Sequence, residues 1–488
     1  METDEREERM AKTLVIVGAG NAGIPAAIEA ADRGARVILV EKTDQLGGML
    51  HWSSATMSAA GARMQRAKGI QDSPQLHFED CLRIGRQRND PAILRLAVEH
   101  AAETIDWLES IGVPYTPESP RFAPEHPLYS VPRSYYADQP GPSSTGGFRG
   151  GGIIFDRLNR ELQKRIEAGS VEVRLRTRMT GLILEDGRVV GVRAERDGQE
   201  EEIRGDAVIL TTGGYMANKA LMQRYHPGSG RYVTLCGPHA TGDAIPIVEA
   251  IGGTTTNMDL LIPLLGFVED PENPGFARPN ITLHRGRSPA IAGDIWVNAN
   301  GERFIAEDTR DPDALERAMM STPGWMMWAI FDDLMRQGFT KEINEVTRRL
   351  GLLGLITSAP TIEQLAEAIG VPPENLKRTV EGYNEAVRTG HDPLGRREMP
   401  KAIDEPPFHA VRSDGVTILS QGGIKVNAQL QVVRADGTPI EGLYAAGEVL
   451  GAGQVMGDAF CSGMSAGAAV TFGRLAARFA LGVVPATA

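Results

Sequence analysis

Cysteine is scarce in this sequence, and its scarcity excludes several kinds of site. The 488 residues contain 3 cysteines, Cys81, Cys236 and Cys461, which lie far apart in the chain. They form no CxxC pair, no zinc spacing and no CxxCH haem-attachment motif. The sequence therefore predicts buried thiols in a reducing compartment and no metal site.

Excess positive charge and long apolar runs are also missing. With 51 Lys and Arg against 63 Asp and Glu, the formal net charge is -12, which disfavours nucleic acid and anionic membranes as partners. Apolar stretches such as 350–356 are too short and too rich in glycine to cross a bilayer. The opening METDEREERM lacks the basic start and apolar run of a secretory signal. We therefore expect a soluble, cytoplasmic protein with no nucleic-acid partner and no stable membrane insertion.

The stretch from residue 13 to Glu41 is the most informative part of the chain. Thr13–Val17 are apolar or β-branched and predict a buried parallel strand, which the glycine-rich turn GAGNAG (18–23) and an alanine-rich helix follow directly. A second predicted strand, Arg36–Val40, then leads to Glu41. Strand, glycines, helix, second strand and acid in this order indicate a nucleotide site, whereas an ordinary βαβ turn would explain only the glycines.

Each residue type in this unit has a chemical reason. Gly18 permits the tight turn from strand to helix, Gly20 lets a pyrophosphate approach the backbone, and Gly23 lets the helix pack closely on the strand. Free N–H groups at the helix N-terminus attract the pyrophosphate. The Glu41 carboxylate is placed to accept hydrogen bonds from a ribose diol and would repel a 2′-phosphate, which favours FAD or NAD over NADP.

The chain between this unit and the middle alternates loops, helices and strands. Residues 42–61 are rich in Gly, Ser, Ala and Thr, which suits either a ligand-facing loop or a flexible surface loop. Residues 74–111 are predicted to be helical, and the proline- and tyrosine-rich stretch 113–142 to be a loop that covers a site or crosses the surface. Segments between 171 and 211 predict a β-meander. It ends at Thr212-Gly213-Gly214, a strand end where ligands gather in α/β sheets.

The predicted fold class is α/β. The simplest organisation is a Rossmann-like nucleotide-binding domain built from both chain ends, residues 11–251 and 403–488, with residues 252–402 inserted as a smaller α+β capping domain over the substrate. The first part of the nucleotide domain includes the loop 113–150. No repeats or low-complexity tracts interrupt this arrangement.

Three blocks resemble the FAD-dependent fumarate reductase and 3-ketosteroid dehydrogenase superfamily. They are VIVGAGNAG with LVEK and QLGGM, AVILTTGGY with HATGDAI, and GLYAAGE with CSGMSAG, and the similarity runs from Lys12 to Ala480. The resemblance implies FAD held between the two chain ends. It implies these FAD contacts: Gly18, Ala19, Gly20, Asn21, Ala22, Gly23, Glu41, Lys42, Gly47, Gly48, Met49, Ser54, Thr56, Met57, Thr212, Gly213, Gly214, Asp243, Gly447, Glu448, Gly463, Met464 and Ser465.

Within this set the resemblance implies a position for the flavin. The backbone at Met464 and Ser465 is expected near its pyrimidine edge, where a helix N-terminus would stabilise the anionic reduced form, and residues 54–57 near N5. Met49 stands where some members of the superfamily carry a histidine that binds FAD covalently. We therefore expect noncovalent FAD, and we expect His51, two residues away, to be a packing residue.

The segment NANGERFIAEDTRD resembles the part of fumarate reductases whose arginine delivers a proton to the substrate carbon. Arg310 matches that arginine. Because a guanidinium resists deprotonation, it would need acids beside it, and Glu307, Asp308 and Asp311 are candidates. The alternative is that Arg310 belongs to a solvated run of charges.

The segment SYYADQPG is similar to the tyrosine-bearing loop of the ketosteroid dehydrogenases. Tyr135 and Tyr136 match a tyrosine pair there, and a phenol can hydrogen-bond a carbonyl or help to remove a proton. The alternative is that both rings simply pack under a proline loop.

Apolar residues replace the polar groups that hold a dicarboxylate in fumarate reductases. By alignment, Leu264 and Leu419 take the places of two histidines, and Phe460 takes the place of an arginine. A dianion would lose its charged partners at such a site, at a cost of several kcal/mol. Phe460 and Met464 also replace a tyrosine and a glycine of the ketosteroid dehydrogenases, so the steroid mechanism does not transfer directly. We expect Leu264, Leu419 and Phe460 to line an apolar substrate site.

The leading hypothesis is an FAD-dependent oxidoreductase that moves a hydride between flavin N5 and a carbon next to a carbonyl, by desaturation or C=C reduction of an apolar, cyclic or steroid-like ketone. Arg310, Tyr135 and Tyr136 are its candidate proton-transfer groups. One alternative is a fumarate reductase-like reductase of an unsaturated acid held by Arg285 or Arg287; another is a flavin-binding redox sensor without turnover. Only one GxGxxG unit is present, so the electron acceptor or donor is unidentified. Oligomeric state and reaction direction are not readable from the sequence.

Overall fold

Strands from both ends of the chain form one sheet. The computed structural model describes residues 11–123, 128–138, 150–228, 232–281, 293–309 and 311–483. Its strands are β1 (Thr13–Val17), β2 (Arg36–Val40), β3 (Met57–Ser58), β4 (Ser134–Tyr135), β5 (Val171–Arg174), β6 (Thr177–Glu185), β7 (Arg188–Arg196), β8 (Gln199–Arg204), β9 (Ala207–Leu210), β10 (Thr255–Thr256), β11 (Pro263–Glu269), β12 (Ala277–Pro279), β13 (Ile295–Val297), β14 (Met326–Asp332), β15 (Ile356–Ala359), β16 (Phe408–Thr417), β17 (Gly423–Ile424), β18 (Gln431–Val433) and β19 (Pro439–Ala445).

Helices connect these strands and cover the sheets. They are α1 (Gly23–Asp32), α2 (Arg63–Ala67), α3 (Pro74–Ile84), α4 (Pro91–Ser110), α5 (Gly151–Glu167), α6 (Lys219–Tyr225), α7 (Ala244–Ala250), α8 (Pro312–Met320), α9 (Asp333–Gln337), α10 (Lys341–Leu352), α11 (Ile362–Ile369), α12 (Pro373–Thr389), α13 (Gly453–Met456) and α14 (Ala466–Ala480). No helix in the described ranges combines the length and apolar character needed to cross a bilayer.

The first sheet runs in the order β18-β19-β9-β1-β2-β5. Its central strand, β1, pairs in parallel with β2 and with β9, and β19 joins β9 on the other side, also in parallel. Leu14, Val15 and Ile16 of β1 are fully buried, as expected for a strand that helices cover on both faces. The predicted parallel sheet built from the two chain ends is therefore present.

The second sheet is antiparallel and belongs mainly to the middle of the chain. Its order is β12-β11-β16-β14-β13, with β15 also paired to β16. The long strand β16 lies beyond residue 402, the predicted end of the inserted domain, yet its residues 408–414 pair with β14 and its last residues pair with β11. Sequence patterns could not assign it, because alternation predicts a strand but not the sheet it joins.

Two predicted segments are more divided than expected. Residues 171–211 contain a three-stranded meander, β6-β7-β8, but the flanking β5 and β9 belong to the first sheet. Residues 74–111 form two helices, not one: α3 ends at Ile84, and Asp90 caps α4 by accepting hydrogen bonds from the N–H groups of Ala92 and Ile93. A Cβ atom at Gly85 would lie 2.4 Å from the Met456 oxygen. The break between α3 and α4 therefore brings the backbone at Gly85 close to the end of α13.

A buried charge network fastens the helices behind the first sheet. The Glu29 carboxylate on α1 lies 2.9 Å from Arg474 Nε and 2.7 Å from Arg478 Nε, both on α14. Glu103 on α4 accepts from the same two arginines. This network ties the first helix of the chain to the last.

Candidate functional site

A cavity of about 1470 Å³ lies where the carboxyl ends of the parallel strands face the second sheet. Residues following β1, β2, β9 and β19 form one side of it, and residues of β11, β13 and α8 contribute to the other. Carboxyl strand ends are where open α/β sheets bind ligands. The topology thus brings the three sequence blocks to one site.

The turn between β1 and α1 has the backbone geometry predicted for its glycines. Gly18 has φ +103°, and a Cβ atom there would lie 2.4 Å from the Thr211 oxygen; a Cβ at Gly23 would lie 1.8 Å from the Gly18 oxygen. Gly20 differs, since a Cβ there would meet no protein atom within 4 Å, and this residue lines the cavity. Gly18 and Gly23 therefore permit close packing inside the protein, whereas Gly20 leaves the turn open to a ligand.

The acid after β2 organises the loop beside it. Glu41 accepts a hydrogen bond of 2.9 Å from the N–H of Ala19 and two of 2.9 Å from the N–H and hydroxyl of Thr43. It lines the cavity at the predicted position. A carboxylate has about four acceptor sites, so this arrangement leaves capacity for the diol of a ribose.

Lys42 and Asp243 form an ion pair at the same end of the cavity. Lys42 Nζ lies 3.1 Å from Asp243 Oδ2 and donates to the Thr241 hydroxyl at 2.6 Å. Burial by itself raises the pKa of Asp243, but the Lys42 ammonium and the hydrogen bond from Thr241 hold it below its ordinary value. The Lys42 charge is therefore neutralised within the protein.

At the other end of the nucleotide wall, the first and last blocks meet. Asn21 Nδ2 donates to the Ala466 oxygen at 3.0 Å, and Gly463, Met464 and Ser465, just before α14, line the cavity. Two buried polar atoms of the wall, Asn21 Oδ1 and Thr212 Oγ1, have no partner among the described residues. Such atoms suit the hydroxyl-rich chain of FAD, so these residues fit the predicted cofactor.

Most predicted cofactor residues line this cavity, and a few support it from behind. Gly18, Ala19, Gly20, Asn21, Ala22, Glu41, Lys42, Gly48, Met49, Ser54, Thr56, Thr212, Gly213, Gly214, Asp243, Gly447, Glu448, Gly463, Met464 and Ser465 are on the wall. Gly23, Gly47 and Met57 are not. Gly47 approaches the His51 ring and donates its N–H to the Ala19 oxygen, and Met57 lies in β3 behind Gly463. Their predicted contacts with FAD remain predictions.

His51 and Glu448 illustrate two further features of the wall. The His51 ring contacts Phe155 edge-on at 4.6 Å, and its Nε2 lies 2.8 Å from the Leu46 oxygen. His51 also lines the cavity, and its packing role stays a prediction. Glu448 accepts from the Ser420 N–H at 2.8 Å. Burial raises the pKa of Glu448, although the Ser420 hydrogen bonds oppose that rise.

The adjacent residues Tyr135 and Tyr136 lie in different surroundings. Tyr136 lines the cavity, and its ring lies under the Arg121 guanidinium at 4.3 Å. Tyr135, in β4, is fully buried against the Tyr115 ring and is not part of the wall. Neighbouring residues of an extended strand face opposite ways, so only one of the predicted pair reaches the cavity. Arg310 lies outside the described residues, as do Arg285 and Arg287.

Apolar side chains from both sides of the cavity make up much of the rest of its lining. Leu264, Leu419 and Phe460 all line the cavity, and their predicted contact with substrate stays a prediction. Leu264 lies in β11, whereas Leu419 and Phe460 pack with the core around the first sheet. Sequence reasoning missed the other apolar residues there: Leu265, Phe267, Trp296, Leu315 and Ile418. Their positions depend on how the second sheet packs, and no local motif identifies them.

Two carboxyl groups in this lining have opposite surroundings. Glu307 is buried and lies 2.7 Å from Arg303 Nη2 and 3.1 Å from Arg396 Nη1. Glu316, on α8, is 5% exposed and lines the cavity beside Leu315. In the described part of the chain its carboxyl makes no hydrogen bond or ion pair. Sequence reasoning considered Glu307 but not Glu316, because no spacing distinguishes a buried glutamate from an exposed one on an amphipathic helix.

The structure also shows the surroundings of Asp308 and Asp311, two of the acids proposed to assist Arg310. Asp308 accepts hydrogen bonds from the N–H groups of Arg397 and Glu398 at 2.7 and 2.9 Å. Burial raises the pKa of Asp308, but these backbone hydrogen bonds hold it below its ordinary value. Asp311 caps α8 through the N–H of Asp313. Each acid thus has a structural partner, and a proton relay through them remains a prediction.

Comparison with known proteins agrees with the geometry. A family model described as "FAD binding domain" matches residues 13–464. The chain is 33% identical over 448 residues to NADH:fumarate oxidoreductase of Klebsiella pneumoniae, covering 90% of this chain but only 44% of that protein. It is 30% identical over 472 residues to fumarate reductase (cytochrome) of Shewanella frigidimarina, covering 95% of this chain and 76% of the relative.

Solved structures resemble the whole chain. The open conformation of a flavocytochrome c3 fumarate reductase superposes with a TM-score of 0.76 at 30% identity, over 96% of this chain and 78% of that one. A 3-ketosteroid-delta4-(5alpha)-dehydrogenase from Rhodococcus jostii RHA1 superposes with a TM-score of 0.73 at 26% identity, over 98% of both chains. The predicted α/β fold and the predicted cofactor, FAD, are confirmed. The chain belongs to the FAD binding domain family, in the flavoprotein superfamily that contains fumarate reductases and 3-ketosteroid dehydrogenases.

Proposed function

We propose that this chain is an FAD-dependent oxidoreductase that moves a hydride between the flavin and the C–C bond next to the carbonyl of an apolar, cyclic ketone. FAD supplies the two-electron chemistry by accepting or giving a hydride at N5. In desaturation the substrate loses a hydride and a proton, and in C=C reduction it gains both. An unidentified external electron acceptor or donor completes the cycle, and the reducing cytoplasm is the expected location.

The apolar wall carries this proposal. Leu264, Leu419 and Phe460 line the same cavity as the nucleotide motif. The charged residues that the structure describes on the opposite wall include four acids: Glu307, Asp308, Glu316 and Glu398. The described residues of β11, β13 and α8 that line the cavity include no Lys or Arg, so desolvating a dianion beside them would cost several kcal/mol, whereas an apolar ketone gains from burial.

Tyr136 and Arg310 are the proposed proton-transfer groups. Tyr136 is in reach of the cavity, and its hydroxyl can hold or move a proton at Oη. Arg310 keeps the role implied by the resemblance to fumarate reductases. Tyr135 would act on this chemistry only by supporting the strand that carries its neighbour.

A second candidate function is reduction of an unsaturated carboxylic acid. One observation favours it: Arg121 lines the cavity beside Tyr136, and its buried Nε has no hydrogen-bond partner among the described residues. Arg is well suited to bind a carboxylate through two parallel hydrogen bonds. The relatives named as fumarate reductases also favour this alternative.

Anaerobic spectroscopy of the holoprotein separates the candidates. In one set of samples the flavin is first reduced chemically, and then an enone (2-cyclohexenone or 4-androstene-3,17-dione) or an unsaturated acid (fumarate or acrylate) is added. In a second set, the saturated ketone that corresponds to each enone is added to the oxidised flavin. We expect enones to restore the oxidised flavin spectrum, or saturated ketones to bleach it. A response to acids alone, lost in Arg121→Gln, would establish the second function, and no response to any of them would favour a redox sensor. Arg310→Ala should slow the response by about 100-fold if the arginine delivers the proton.

A further inference from the structure

Glu316 is a buried carboxyl group without a protein partner on the cavity wall. It lies in the second turn of α8, is 5% exposed, and lines the cavity beside Leu315. The parts of the chain that the structure describes offer its carboxyl no hydrogen bond and no ion pair. A buried polar side chain that faces a binding cavity without a partner is unusual in a folded protein.

The cation next to it in sequence is occupied elsewhere. Arg317 Nε lies 3.1 Å from Asp313 Oδ1, and its Nη2 lies 2.6 Å from the Asp458 oxygen and 3.0 Å from Asp458 Oδ2. Asp313 also contacts Arg86. The ion pairs of α8 thus join residues that do not line the cavity, whereas Glu316 lines it.

The surroundings favour the neutral carboxylic acid. Burial raises the pKa of Glu316 well above its ordinary value, and the Asp313 and Asp311 carboxylates add to the rise against a smaller opposing effect of Arg317. A protonated carboxyl has one O–H donor. It can therefore donate to an acceptor inside the cavity.

We propose that Glu316, as a neutral carboxylic acid, donates a hydrogen bond to the carbonyl oxygen of the substrate. The inference rests on the proposed ketone substrate and names the group that would recognise its oxygen in a cavity whose lining also contains the apolar Leu264, Leu265 and Trp296. No bond is made or broken at Glu316, and the proton stays on the carboxyl. The hydrogen bond would draw electron density toward the oxygen, which favours hydride transfer at the conjugated carbon. An ionised acid could not give this bond and would repel the oxygen.

The test compares Glu316→Met with Glu316→Gln in the holoprotein. Methionine keeps the length of the side chain and removes the donor, whereas glutamine keeps a donor. Neither change leaves a buried charge unpaired, so both variants should fold and retain flavin absorbance. Glu367→Met, on the exposed face of α11, is the matched control.

Two readouts are measured with 4-androstene-3,17-dione carrying a ¹³C label at the conjugated carbonyl. We expect Glu316→Met to raise its dissociation constant about tenfold, and Glu316→Gln and Glu367→Met to change it by less than about threefold. In the infrared spectrum, the bound carbonyl stretch should lie lower in the parent chain and in Glu316→Gln than in Glu316→Met. A side chain that merely filled space would not shift this frequency.

The outcomes separate the inference from the function on which it rests. If the parent binds the ketone and exchanges electrons with it, but Glu316→Met matches the parent in affinity and carbonyl frequency, the inference is wrong and the proposed function stands. If the parent responds to unsaturated acids and not to ketones, the proposed function and the inference both fail.

Discussion

The two walls of the cavity are built on different principles. The nucleotide wall consists mainly of backbone at strand ends, with glycines where the chain must approach itself or leave space. The opposite wall consists of side chains, apolar ones with a few acids among them. A wall of backbone suits a constant ligand, because its shape depends little on side-chain identity. A wall of side chains can differ between proteins that act on different substrates, so the substrate contacts proposed for this protein lie on that side.

The glycine turn should be the least tolerant part of the nucleotide wall. We expect Gly23→Ala to abolish FAD binding and destabilise the fold by more than about 3 kcal/mol, because its Cβ would lie 1.8 Å from the Gly18 oxygen. Gly20→Ala should fold but bind FAD more weakly, since its Cβ projects into the cavity. Flavin absorbance per protein and thermal unfolding measure both effects, and Gly351→Ala, with open space around it, is the control. Undiminished flavin in Gly20→Ala would contradict the predicted pyrophosphate contact.

The two glutamates of the opposite wall should respond very differently to the same substitution. Glu307→Gln leaves the buried Arg303 and Arg396 without their shared carboxylate, and we expect it to lower the free energy of unfolding by about 3 kcal/mol. Glu316→Gln removes no ion pair and should change that free energy by less than about 0.5 kcal/mol. Chemical denaturation of the two variants checks the contrast. Equal losses would show that Glu316 has a structural partner.

The adjacent tyrosines provide a smaller test of which side chains reach the substrate. We expect Tyr136→Phe to slow flavin reoxidation by about tenfold or more, because Tyr136 lines the cavity and is a proposed proton-transfer group. Tyr135→Phe should leave the rate unchanged. It should also raise stability by about 1 kcal/mol, because the buried Tyr135 hydroxyl has no partner among the described residues. Single-turnover absorbance measurements give both rates of flavin reoxidation. If Tyr135→Phe slowed reoxidation and Tyr136→Phe did not, Tyr135 would be the proton-transfer group in place of Tyr136.

The acid stability of the nucleotide wall should depend on the network behind it. Burial opposes ionisation of Glu29, but Arg478, Arg474 and Arg33 hold its pKa below the ordinary value. A group whose pKa is lower in the folded state stabilises the fold above its unfolded pKa, near 4.5, and loses this contribution as pH falls. We therefore expect Glu29→Gln to be less stable than the parent at pH 7 and to lose less stability between pH 6 and pH 3. Parallel denaturation curves at each pH measure the difference, and a similar pH dependence in both chains would exclude Glu29 as its source.

Local sequence identified the nucleotide wall well. Gly18 and Gly20, the acid at 41, the blocks near 213 and 464, and Gly23 behind the wall could be located because each role depends on residues close in sequence: a turn, a strand end or a helix start. The apolar replacements at Leu264, Leu419 and Phe460 were also correctly placed on the cavity wall. Alignment to the superfamily carried that prediction, since no local pattern in this chain marks them.

The assembly of the second sheet could not be predicted from the same patterns. Strand alternation indicates β16 but not its partners in the middle of the chain, and it places Tyr135 and Tyr136 together although one faces the cavity and the other does not. Glu316 looks like any other helical glutamate in sequence. Its burial becomes visible only when α8 packs on β11 and Arg317 turns toward Asp458.

The sequence by itself determined the cofactor, the α/β class and the turn that receives the nucleotide, because these follow from conformations that only certain residues can adopt over a short stretch. The tertiary structure decided which side chains face the reactive end of the cavity and which carboxyls there are paired. Those features depend on contacts between segments hundreds of residues apart, where burial and the nearest charge set the chemistry of each group.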